Sequence, residues 1–129
     1  LPPIAGKAYP NLVSAVDQDG NEIAGVALPD VSVPLATYTG WNLYNAEYGP
    51  THIVSHMSGS FLPFPKDSME REARNDPRLS IEERYESRAE YLGLVAAEAM
   101  TLIGQGYLLD QDLPEILAQA GVIWDYVTR

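Results

Sequence analysis

An α+β fold is expected from this chain, with an N-terminal β-hairpin and long aromatic-rich loops followed by two or three helices. Three observations lead there. Eight of the ten prolines fall in residues 1–65, and proline's missing N–H and fixed φ keep that half from being mainly helical. An Asp-Gly pair separates two short β-prone runs within it, a strong hairpin signal. Residues 66–129 carry thirteen acids, seven bases and two long apolar stripes at helical spacing.

In chain order, residues 1–10 (LPPIAGKAYP) read as an extended, partly polyproline-like lead-in. Residues 12–16 (LVSAV) and 23–28 (IAGVAL) are the expected hairpin strands, joined through Asp17, Gln18, Asp19, Gly20, Asn21 and Glu22. Residues 31–38 (VSVPLATY) form a candidate third strand, which Pro34 confines to an edge or bulge. Residues 39–65 are punctuated by Gly40, Gly49, Pro50, Gly59, Pro63 and Pro65, and read as a long loop held by Tyr38, Trp41, Tyr44, Tyr48, Phe61 and Phe64.

In the second half, residues 68–75 (SMEREARN) form a short helix with Ser68 as its cap, broken by Asp76-Pro77. Ser80-Ile81-Glu82-Glu83 is a capping box opening a helix with the stripe Ile81, Tyr85, Ala89, Leu92, Val95, Ala96, Ala99, Leu102 and Ile103. Gly104 and Gly106 stop it. Asp110 or Asp112 caps a last helix with Pro114 in its first turn and the stripe Leu113, Ile116, Leu117, Ala120, Ile123, Trp124 and Val127. About five residues join these two helices, which should pack as an antiparallel pair.

The 129 residues fit a single domain or fragment, an extended half at 1–65 and a helical half at 66–129. A formal charge of −10 argues against nucleic acid and against an anionic membrane surface as partners. Zero cysteines exclude disulfides, thiolate metal sites and a cysteine nucleophile. The chain begins with Leu1 and its first methionine is Met57, so a processed product or a piece of a longer protein is expected, and localisation is unreadable.

Chemistry-bearing candidates are few. His52 and His56 are four apart, but lack the Glu of a zinc-binding H-E-x-x-H helix and a third ligand, so no metal is expected. Ser58-Gly59-Ser60 does not complete the G-x-S-x-G frame of a nucleophile elbow, and no other segment does. The acids of Asp17-Gln18-Asp19-Gly20-Asn21-Glu22 do not extend to a calcium loop and are read as turn residues. Glu82, Glu83, Arg84, Glu86, Arg88 and Glu90 read as a solvated helix face. One cluster suggests a ligand pocket: Tyr38, Thr39, Trp41 and Asn42 set two aromatics, a hydroxyl and an amide around Gly40. No catalytic residue, metal or cofactor is assigned.

The segment Val33-Pro34-Leu35-Ala36-Thr37-Tyr38-Thr39-Gly40-Trp41-Asn42-Leu43 resembles the C-terminal region of the alpha/beta-hydrolase domain protein family. Three further blocks agree in order: 16–25 (VDQDGNEIAG), 59–64 (GSFLPF) and 76–85 (DPRLSIEERY). The resemblance implies an esterase-like parent whose catalytic core and Ser-His-Asp set precede this region, making this chain a non-catalytic cap or buttress. Its partner would then be the remainder of the parent hydrolase, or a second copy through an apolar patch. The alternative is a free-standing acidic binding or interaction domain without catalysis.

Overall fold

A computed structural model describes residue 6 and residues 12–45, 47, 54–55 and 57–129. The expected lead-in at 1–10, Tyr48, Gly49, Pro50, His52 and His56 lie outside these residues, apart from Gly6.

The expected hairpin at 12–28 condenses to one antiparallel bridge, Val16 to Glu22. The turn itself forms, since Asp17 Oδ1 accepts the amides of Asp19 (2.8 Å) and Asn21 (2.9 Å) and Gly20 takes φ 83°. The flanking runs do not extend into strands. A lone two-stranded hairpin is marginal in water, and the apolar side chains of this one find no layer to pack against.

What was expected as a strand over 31–38 is two elements. Helix α1 (Pro29–Ser32) occupies its start, with Pro29 in the first turn, where a missing N–H costs nothing. Strand β1 (Ala36–Thr39) follows only after Pro34. The described part of the expected loop at 39–65 contains strands that were not expected. It carries β2 (Asn42–Leu43), β3 (Val54–Ser55) and β4 (Ser60–Pro63), with β1 antiparallel to β4 and β2 antiparallel to β3. The result is a ribbon folded back on itself, in register from Ala36 opposite Pro63 to Thr39 opposite Ser60.

Helix α2 (Ser68–Arg74) is capped one residue earlier than expected, by Asp67, whose side chain accepts the Glu70 amide at 2.8 Å. It ends on Asn75 at φ 51°, with Asp76 N–H bonded to Arg71 C=O and Asn75 N–H to Glu72 C=O, a Schellman closure.

The capping box at Ser80 is present with both reciprocal bonds, but the helix it opens is only α3 (Ile81–Arg84). Helix α4 (Arg88–Gly104) restarts on a second cap, Ser87, whose hydroxyl accepts the Glu90 amide. Tyr85 between them is extended (φ −134°, ψ 126°), its hydroxyl donating to Pro34 C=O at 2.9 Å. The apolar stripe is continuous across the break, so periodicity alone hid it. Tyr91 takes the buried place expected of neighbouring Ala89, which is exposed.

Gly106 (φ 81°) closes α4, with Tyr107 N–H on Leu102 C=O and Gly106 N–H on Ile103 C=O. A 3-10 turn at Asp110–Asp112 leads into α5 (Leu113–Val127), where Pro114 sits in the first turn and neither Asp makes the expected side-chain cap. Helices α4 and α5 pack antiparallel, as expected: Arg88 at the start of α4 bonds Asp125 near the end of α5, and the Tyr91 and Trp124 rings stack at 5.1 Å. Every residue of the expected α5 stripe is at least half-buried.

The core lies between this pair and the ribbon. Leu35, Phe64, Ile81, Tyr85, Tyr91, Val95 and Ala120 are all buried, with Ile116, Leu117 and Trp124 packed on them. No helix among the described residues is long and apolar enough to cross a membrane.

Candidate functional site

The ribbon carries the four residues singled out from the sequence. Tyr38 stands on β1 opposite Phe61 on β4, with the rings 5.4 Å apart, and Phe61 in turn lies 6.4 Å from Tyr126 at the end of α5. Thr39 Oγ1 donates to Trp41 C=O at 2.5 Å and accepts the Ser60 amide at 3.1 Å. Asn42 Oδ1 accepts the following amide, Leu43 N–H, at 2.8 Å. Trp41 is half-buried and Asn42 is exposed. Thr39 and Asn42 thus hold the backbone of the ribbon, while Tyr38 faces an open hollow.

That hollow has a volume of about 360 Å³ and is walled by Tyr38, Phe61, Val122, Ile123, Tyr126 and Arg129. Burial pushes the Tyr38 phenol up to about 12, helped by the negative charge of Asp30 and by Tyr85. Tyr85 is also pushed up to about 12, chiefly by burial, and Tyr91 is pushed up for the same reason. At neutral pH all three are protonated hydroxyls, able to donate a hydrogen bond and unable to act as a base.

A second hollow, of about 300 Å³, lies where α1 meets the start of α5, between Leu28, Asp30, Leu108 and Ile116. Burial raises the carboxyl pKa of Asp30 there. Composition gave no hint of this residue.

Ser60 is a structural serine, its amide on Thr39 and its hydroxyl 3.4 Å from Trp41 C=O. Gly59 is required beside it, because a Cβ there would lie 2.2 Å from Thr39 C=O. Two of the three acids of the 17–22 turn are engaged as well: Asp17 holds two backbone amides and Asp19 holds Arg84. Among the described residues no group of three or more His, Cys, Asp or Glu could hold a metal ion.

The polar residues that organise this face were not singled out from the sequence. Asn21 is fully buried and plays the part of a neighbouring strand, donating to Ala36 C=O at 3.1 Å and accepting Tyr38 N–H at 2.7 Å. Thr37 Oγ1 bonds Asp19 C=O. On the other edge of the ribbon, Arg78 donates to Leu62 C=O at 3.0 Å and to Thr37 Oγ1 at 2.8 Å. Two Asp76 bonds, at 2.9 and 2.6 Å, hold its guanidinium in place. Both ribbon edges are therefore occupied.

The charged residues of 82–90 are only partly the solvated face expected. Arg84 faces Asp19, Glu83 caps α3 and lies 2.9 Å from Arg71, and Arg88 pairs with Asp125. Glu82 and Glu86 are exposed as expected.

The sequence model of one family, described as "Alpha/beta hydrolase domain", matches residues 2–118. No curated protein and no solved structure matches the chain.

Proposed function

This chain belongs to the alpha/beta hydrolase domain family, and from that membership we propose that it is a non-catalytic portion of an esterase-like hydrolase. In this reading it buttresses or caps a catalytic core that other residues of the parent supply. The observation carrying the proposal is a run of outward-facing apolar side chains. Leu12, Val13, Val16, Ile23, Val26 and Leu28 are each between 44% and 83% exposed on one short segment. Clustered exposure of this kind marks a surface that another body covers.

The chemistry agrees. Acyl transfer to a serine needs an activated hydroxyl on a strained strand-to-helix turn, with a base behind it. The sequence contains no such turn motif. The described strands pair antiparallel and only two by two, so they offer no parallel sheet on which to mount one. In this proposal the chain contributes shape: Tyr38 and Trp41 form part of a pocket wall, and Thr39 and Asn42 hold the ribbon that presents them.

A free-standing acidic binding domain is the competing reading, and the chain's own buried core favours it. The exposed run at 12–28 weighs against it. The test is an ester assay on the pure 129-residue chain, with an intact-mass measurement of the natural gene product. The proposal expects no turnover of p-nitrophenyl esters and a mass well above 14.2 kDa. Turnover abolished by replacing a serine within this chain would overturn it.

A further inference from the structure

The Tyr38 hollow does not end at Tyr126. Another hollow, of about 520 Å³, shares Tyr126 and Arg129 with it and adds Phe64, Glu70 and Arg74. The two have contrasting walls. The first is lined by aromatic and aliphatic side chains with Arg129 at its margin. The second holds two guanidinium groups and one carboxylate. That carboxylate is committed: Glu70 lies 2.5 Å from Arg74 and also accepts the Lys66 amide at 2.7 Å. Arg129, at the junction, takes part in none of the ion pairs among the described residues.

We infer that the paired hollows bind one small carboxylate with an apolar body, the carboxylate on Arg129 and the body in the hollow walled by Phe61, Val122, Ile123 and Tyr126. The inference rests on the reading of Tyr38 as a pocket wall, but not on any hydrolytic activity. Three considerations select this ligand chemistry. A volume of about 360 Å³ falls in the range of small-molecule pockets, whose walls are mostly apolar with a few polar groups fixing orientation. A guanidinium at the margin with no direct ion pair among the described residues, acting on Asp125 only through its charge, favours a planar anion, which it can hold with two parallel hydrogen bonds. An amine is disfavoured, because it would meet Arg129 and find Glu70 already paired.

The test titrates octanoate into the ¹⁵N-labelled 129-residue chain and follows amide shifts by NMR, with 1-octanol and octylamine as controls. Saturable shifts should centre on Phe61, Val122 and Tyr126, with octanoate binding at least tenfold more tightly than either control. Arg129→Gln should remove that preference and Arg129→Lys should restore part of it. Val122→Phe fills the hollow from an exposed position and should abolish binding while leaving the remaining amide spectrum unchanged. Equal binding of all three probes, shifts centred on Asp30 and Ile116, or octanoate binding indifferent to both Arg129→Gln and Val122→Phe would each overturn the inference. So would shifts that track protein concentration instead of octanoate, since these would make a second copy the occupant. None of these readouts involves ester turnover, so failure here stays separate from failure of the hydrolase reading.

Discussion

Arg84 reaches back sixty-five residues to hold Asp19 in a two-point contact, Nη1 to Oδ2 at 2.8 Å and Nη2 to Oδ1 at 2.5 Å. The two side chains are only 12% and 9% exposed, and the Arg84 guanidinium also lies 4.2 Å from the centre of the Phe64 ring. This pair fastens the 17–22 turn to the helical half. Removing one partner strands the other charge, which costs more than the pair itself contributes. Asp19→Ala should therefore destabilise the chain by about 3 kcal/mol in urea unfolding. Asp19→Leu combined with Arg84→Met should cost less than the sum of the two single changes. Strict additivity in that cycle would show that the contact carries no coupling.

Gly20 gives a sharper test of the same attachment. Its φ of 83° disfavours any side chain, and a Cβ there would lie 2.8 Å from Thr37 Cγ2. Gly20→Ala should cost more than 1 kcal/mol, since it adds a steric clash to a strained backbone. Thr37→Ser removes the clashing methyl and keeps the hydroxyl that bonds Asp19 C=O. The double variant should recover part of the loss, and thermal melts of the four proteins separate the two contributions. No recovery would assign the whole cost to the backbone.

These two contacts also show where sequence reading reaches its limit. The Asp-Gly turn was legible because its chemistry is local: one carboxylate and one glycine within five residues. What the turn does was not, because Arg84 and the edge of β1 are distant in sequence and nothing in the 17–22 segment signals either. The α5 stripe was read correctly for the opposite reason, since a 3.6-residue period is written into neighbouring positions. The helix expected from residue 80 failed because the apolar period continues through Tyr85 while the backbone does not. The signal that could have found the break is a second S-x-x-E, Ser87 to Glu90, seven residues after the first. Of the four pocket candidates, aromatic content singled out Tyr38, which the structure sets beside a hollow. It could not show that Thr39 and Asn42 are occupied by their own backbone.

The break between α3 and α4 predicts an asymmetry between two conservative changes. Ser87→Ala removes the α4 cap at an exposed position and should cost about 1 kcal/mol. Tyr85→Phe deletes only the hydroxyl that bonds Pro34 C=O and should also cost about 1 kcal/mol. The two should differ in hydrogen exchange. Ser87→Ala should speed exchange of the first-turn amides of α4, whereas Tyr85→Phe should loosen the segment before β1. Identical exchange maps would contradict the separate roles given to these residues.

Asp30 carries a pH prediction whose sign is fixed by its burial. Desolvation raises its folded-state pKa above the ordinary value of 3.8. A carboxyl with a raised folded pKa favours the folded chain while protonated, and that contribution is lost as pH climbs through the folded value. Asp76 runs the other way. Its hydrogen bonds from Arg78 lower its pKa, so its contribution is present above 3.8 and disappears as pH falls through the depressed value. At pH 7 the ionised Asp30 is therefore a liability and the ionised Asp76 an asset. Asp30→Asn should raise the melting temperature at pH 7, and the gain should shrink steadily as the buffer is taken down toward pH 4. Asp76→Asn should lower the melting temperature at pH 7, and its deficit should narrow only at still lower pH. A gain for Asp30→Asn that persisted unchanged at pH 4 would show that burial of this carboxylate is not what costs the folded chain stability.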